Sequence, residues 1–130
     1  MKDTIRQLTD KEIDLLKGKH FAHVATIMSD GAPQVTPVWI DYDDGYIIVN
    51  TAEGRVKDRN VRRDPRVAIS MLDESDPYRK VFFTKGRVVD FITEGADASI
   101  DALAKKYLDV DVYPGHRDDE TRVIWKIAPE

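Results

Sequence analysis

Short strand-forming runs separated by sharp turn signals, with helical patterning confined to three brief segments, constrain this chain's fold more than any other feature. Phe21 to Met28 is rich in strand formers, Ser29-Asp30-Gly31 makes a turn, and Gln34 to Asp41 reads as the returning strand. Asp43-Asp44-Gly45 forms the next turn and Tyr46 to Thr51 a third strand, so these three are expected to form a meander. Val67 to Leu72, Val81 to Ile92 (with a weak point at Gly86) and Arg122 to Ile127 supply three more. Six mostly antiparallel strands in 130 residues imply a mainly β protein, a small barrel with short peripheral helices, because closure removes exposed edges. The length suits one domain spanning residues 1–130.

The helical segments have their own signals. Thr9-Asp10-Lys11-Glu12 matches a capping box ahead of Ile13, Leu15 and Leu16, and Gly18 stops that helix near Lys17. Ala96, Ile100, Leu103 and Tyr107 recur on one face of a helix from about residue 96 to 107. Between Gly54 and Asp64-Pro65 the chain has room for two to three turns, closed by the bias of a pre-proline residue against helix.

That middle helix carries the charge anomaly of the sequence. From Arg55 to Arg66 six basic residues stand against two acidic ones, a local balance of +4 in a chain whose net charge is −4. A local inversion of this kind suits a seat for an anion such as a phosphate better than a nucleic-acid coat. At about 100° per residue, Val56, Lys57, Asn60 and Val61 fall on one half of the helix and Asp58, Arg59 and Arg62 on the other. Lys57 and Asn60 are therefore expected to face the body of the protein, with Arg55 at the first turn beside free backbone N–H groups.

Other chemistries lack support. The chain has no cysteine, which removes disulfides, thiolate catalysis and cysteine zinc sites. His20 and His23 lie three apart on a strand and point to opposite faces, so no metal site is expected. His116 reads as a turn residue in Pro114-Gly115-His116-Arg117, and no Gly-x-Ser-x-Gly elbow, Gly-x-Gly-x-x-Gly or Gly-x-x-x-x-Gly-Lys pattern occurs. The apolar runs are too short to span a membrane, and Met1-Lys-Asp-Thr-Ile-Arg6 lacks a signal-peptide core, so a cytoplasmic location is expected. A phosphate seat without an evident acid, base or nucleophile fits an enzyme whose cofactor performs the bond-making.

The Ser29-Asp30-Gly31-Ala32-Pro33 hairpin, a strand opening at Gln34, and Arg55-Val-Lys-Asp-Arg-Asn-Val-Arg-Arg-Asp-Pro-Arg66 together resemble the flavin/deazaflavin oxidoreductase superfamily. This split-barrel group includes pyridoxamine 5′-phosphate oxidase, and the basic block is similar to that of its small F420-dependent members. The resemblance implies an FMN-binding split-barrel fold and a homodimer with cofactor sites at the subunit interface. It implies that Arg55 and Lys57 hold the cofactor phosphate with Asn60 in support, and that Gln34, Val35, Thr36 and Pro37 line the ring. Asn50 and Thr51 would lie under the ribityl chain, and Tyr78, Arg79 and Trp125 are candidates for groups offered by the partner chain. The alternative for Trp125, as for Trp39, is packing in the core or the dimer. The implied activity is F420-dependent hydride transfer to an unsaturated small molecule. The alternatives are an FMN oxidoreductase or a cofactor-binding protein without turnover; nucleic acid and membrane are not expected partners.

Overall fold

The computed structural model describes residues 5–130. In chain order the elements are α1 (Asp10–Lys17), β1 (Ala22–Ile27), β2 (Pro33–Val38), β3 (Asp41–Asp43) and β4 (Tyr46–Ala52). There follow α2 (Val56–Arg63), β5 (Arg66–Leu72), β6 (Val81–Ile92), α3 (Ala96–Leu108) and β7 (Arg122–Pro129). The capping box at α1 forms as expected: Thr9 Oγ1 accepts from Glu12 N–H and Glu12 Oε1 accepts from Thr9 N–H, while Arg6 pairs with Glu12 at 3.0 Å.

All seven strands join one antiparallel sheet in the order β2-β1-β5-β6-β7-β4-β3. The expected count of six was one short; the hairpins at Ser29-Asp30-Gly31 and Asp43-Asp44-Gly45 form as expected, but they do not join into the expected three-stranded meander. β4 pairs with β7 and β3, not with β2, so β2 and β3 lie at opposite edges of a curled but open sheet. The run read as one strand from Gln34 to Asp41 breaks after Val38. Ile40 takes no place in the ladder there, because its N–H donates to Tyr107 Oη (3.2 Å) and its carbonyl accepts from Lys106 Nζ (2.6 Å). Two side chains of α3 thus carry the backbone from one edge of the sheet to the other. The prolines of β2 fit its edge position, where a missing N–H costs no ladder bond on the outer side.

The first half of β6 pairs with β5 over Val81–Arg87 and the second with β7 over Gly86–Ile92, with a register shift between Val88 and Asp90. Gly86 sits where the two pairings meet, and a Cβ there would lie 2.8 Å from the Ala128 carbonyl oxygen. The core fills the inside of the curl with Val24, Ile47, Val49, Val123, Trp125 and Ile127, all fully enclosed. The buried face of α3 is the expected one, with Ala96, Ile100, Leu103 and Tyr107 turned inward. Among the described residues no helix is long and apolar enough to cross a membrane.

Candidate functional site

The turn Glu53–Arg55 delivers the chain from β4 into α2, and Gly54 adopts φ 86°, a left-handed conformation that glycine enters freely. A carboxylate anchors this turn from inside. Asp58 is buried, its Oδ1 accepting from Trp125 Nε1 (3.0 Å) and its Oδ2 from Gly54 N–H (3.2 Å) and Arg62 Nε (2.9 Å). The helical-wheel expectation that Asp58 faces outward is therefore corrected: an ideal wheel cannot register an indole N–H that needs an acceptor, and meeting it rotates the helix toward Asp58. Val61 and Asn60 face inward as expected, Val56 is exposed, and no side chain caps the start of α2 at Arg55.

Beside this helix start lies a pocket of about 280 Å³ between α2, α3, β4 and the end of β2. Three cations line it: Arg55, Lys57 and Arg122. Arg122 is only 6% exposed, its Nε donating to Asn50 Oδ1 at 2.9 Å while Asn50 Nδ2 donates to the Ala96 carbonyl at 2.8 Å. Glu120 balances part of this charge, with Oε2 at 2.8 Å from Arg55 Nη2 and Oε1 at 3.5 Å from Arg122 Nη1. The second contact has ion-pair distance without hydrogen-bond geometry, so Arg122 Nη1 and the Glu120 Oε1 that faces it are buried without a hydrogen bond, as is the hydroxyl of Thr51. Burial holds the Lys57 pKa below that of a free lysine, and the neighbouring Arg55 and Arg122 lower it further. Arg122 is likewise lowered by burial, whereas the Arg55 hydrogen bond holds Glu120 below the usual carboxylate range. A free hydroxyl beside three cations that one carboxylate only partly balances is chemically matched to an anion.

An aromatic wall completes the pocket. Trp39 stacks on Tyr107 (centroids 5.3 Å apart, planes 5° apart) and meets the edge of Tyr113 at 5.7 Å. Tyr113 in turn lies 5.3 Å from the Arg122 guanidinium. Asp101 pins the loop that carries Tyr113, accepting from Tyr113 N–H at 2.8 Å and contacting His116 Nε2 at 2.7 Å, so His116 is a bonded latch and not simply a solvated turn residue.

Of the residues singled out by sequence, Pro37, Asn50, Thr51, Arg55 and Lys57 come together on this pocket. Others do not. Asn60 is buried and donates to Thr26 Oγ1 (3.0 Å), and Thr26 donates to Gln34 Oε1 (3.0 Å), whose Nε2 donates to Thr36 Oγ1 (2.9 Å). This chain of bonds ties α2 to β2 without reaching the pocket wall. Val35 is 63% exposed on the outward face of the sheet. Tyr78 (95% exposed) and Arg79 project from the β5–β6 loop, while Trp125 is wholly enclosed in the core, so its ring is not available to a cofactor or a partner chain. Sequence reasoning missed Trp39, Tyr113 and Arg122 as pocket residues. Arg122 shares strand parity with Ile124 and Lys126, an alternation that assigns it to solvent, and it is groups outside β7, among them Asn50 and Tyr113, that cover it.

A family model described as pyridoxamine 5′-phosphate oxidase matches residues 8–130 of this chain. Among solved structures, a protein named F420 reductase is 28% identical with a TM-score of 0.83, over 95% of this chain and 96% of its own. A conserved hypothetical protein from Mycobacterium tuberculosis (24% identity, TM-score 0.68, 97% and 82% covered) shares the fold. So does HupZ of Group A Streptococcus (20% identity, TM-score 0.62, 95% and 90% covered).

Proposed function

The chain belongs to the pyridoxamine 5′-phosphate oxidase family, and from that premise we propose that it is an oxidoreductase using the deazaflavin F420 to reduce an unsaturated organic substrate. The observation that carries this reading is the Arg55–Lys57–Arg122 pocket, whose Thr51 hydroxyl has no hydrogen-bond partner, in a chain similar over nearly its whole length to an F420 reductase. When bound, the cofactor supplies hydride transfer. The protein supplies position. Lys57 and Arg55 hold the phosphate from the first turn of α2, Arg122 reaches it from β7, and Thr51 offers its hydroxyl to the adjoining chain. Pro37, Trp39 and Tyr113 give the seat an apolar wall, and the outer edge of β2, unpaired in the sheet, leaves the backbone of Gln34, Val35 and Thr36 open to a ring. FMN carries a similar ring and a phosphate and is the competing occupant. Turnover tests the proposal: the purified chain oxidises reduced F420 in proportion to an added enone or similar acceptor, and failure across a panel of such acceptors counts against it.

A pocket of 280 Å³ is small for a whole dinucleotide-sized cofactor, since ligand pockets usually hold about 300–1,000 Å³. A second copy of the chain is proposed to complete it. The outward face of β2, β1, β5 and β6 supports that partner: Val35 and Phe83 (74% exposed) flank small residues Ala25, Ala68 and Ser70 around a groove of about 470 Å³. In this reading the projecting Tyr78 and Arg79 reach the partner's site. Sedimentation is expected to give a species near twice the 14.8 kDa chain mass, and Phe83→Glu to give monomers that bind F420 at least tenfold more weakly. A monomeric wild-type chain with full affinity contradicts the shared site.

A further inference from the structure

Glu120 is not on the pocket wall, yet it holds two of the three cations that are. Its carboxylate lies 2.8 Å from Arg55 Nη2 and 3.5 Å from Arg122 Nη1, and its side chain is largely shielded from solvent. It is fixed there from both sides in the chain: its N–H donates to the Arg117 carbonyl (3.2 Å), and the next residue, Thr121, accepts from Glu53 N–H (2.8 Å) beside the turn into α2. Lys57, by contrast, feels Arg55 and Arg122 against its charge and only Asp58 in favour of it. The wall therefore presents three positive groups, with the Glu120 carboxylate directly behind two of them.

We infer that Glu120 tunes specificity by lowering the positive potential of the seat, which costs a doubly charged phosphomonoester more affinity than a singly charged phosphodiester and so shifts the balance toward the diester. The physical reason is that a fixed negative charge lowers the potential at the seat by one amount, and a ligand loses affinity in proportion to its own charge. A dianion is penalised twice as much, in free energy, as a monoanion. Because Glu120 does not occupy the pocket, it acts without being displaced. This inference rests on the phosphate seat proposed above and gives it a direction: F420 carries its phosphate as a diester, FMN as a monoester.

The test uses small probes that lack any ring. Dimethyl phosphate and, at pH 8, methyl phosphate are titrated into the wild-type chain and Glu120→Gln, following the arginine Nε–Hε and backbone resonances by NMR. For charges about 6 Å apart in a water-like dielectric, Glu120→Gln is expected to tighten dimethyl phosphate about threefold and methyl phosphate about tenfold. Glu120→Ser provides the same comparison if the glutamine variant does not fold, and Asp119→Asn, whose exposed carboxylate pairs with Arg117, is expected to change neither affinity. Equal tightening of both probes overturns the inference, since it means that Glu120 is displaced as a competitor and does not select by charge. Weaker binding of both also overturns it, because Glu120 then serves to orient Arg55. If neither probe perturbs Arg55, Lys57 or Arg122 in any variant, the seat itself is wrong and the functional reading fails with it.

Discussion

Lys57→Ala is expected to weaken F420 binding by about 2–3 kcal/mol, the cost of losing a charge-assisted contact in a half-buried site. Arg55→Ala is expected to act in the same direction with a smaller loss, because Arg55 already shares its charge with Glu120. The exposed Arg66, paired only with its neighbour Asp64, is the control, and its replacement should change binding little. Arg62 looks like a surface control from sequence but is a poor one, since its Nε bonds the buried Asp58. The titration also has a pH signature. The anion binds protonated Lys57, whose pKa lies below the free value of 10.5, so affinity is full at lower pH and falls as pH rises through that lowered pKa. Lys57→Arg should shift that fall beyond the accessible range. Isothermal titration of variants checked for folding by circular dichroism reads all of these outcomes, and equal small losses at Lys57, Arg55 and Arg66 mean a diffuse positive field with no seat.

Asp58→Ala is expected to destabilise the fold by about 3 kcal/mol, measured by urea unfolding at neutral pH. Three donors lose their acceptor at once, and one of them, the Trp125 indole, is sealed in the core where no water can replace the lost bond. Asp58→Asn keeps an acceptor oxygen and should cost less. The same change loosens the Gly54 turn, so F420 affinity falls in the variant even under conditions where it remains folded. A loss within 0.5 kcal/mol for the alanine variant would mean that Asp58 does not anchor the helix.

Much of this architecture was legible in the sequence because its signals are local. The Thr9–Glu12 box, the stop at Asp64-Pro65 and the Ala96–Tyr107 face depend only on neighbours a few residues away, and each produced the helix it announced. What failed depends on distant groups. Nothing within a few residues of Ile40 says that Tyr107 and Lys106 will satisfy its backbone, so the break between β2 and β3, and with it the seventh strand and the true order of the sheet, stayed hidden. Asp58 turned inward for an indole 67 residues away, and Arg122 was buried by Asn50 at a separation of 72. The basic segment itself was conspicuous. Its complement, Arg122 with Glu120 and the Trp39–Tyr113 wall, only assembles once β7 lies beside β4 and α3 closes over them.

Titration of the purified wild-type chain with F420 and with FMN, each followed by its own fluorescence, tests the central claim most directly. F420 is predicted to bind more tightly, and its advantage to shrink when Glu120 is replaced by glutamine. FMN binding at least tenfold more tightly than F420, a difference of about 1.4 kcal/mol, would contradict the assignment and leave only the family and its fold.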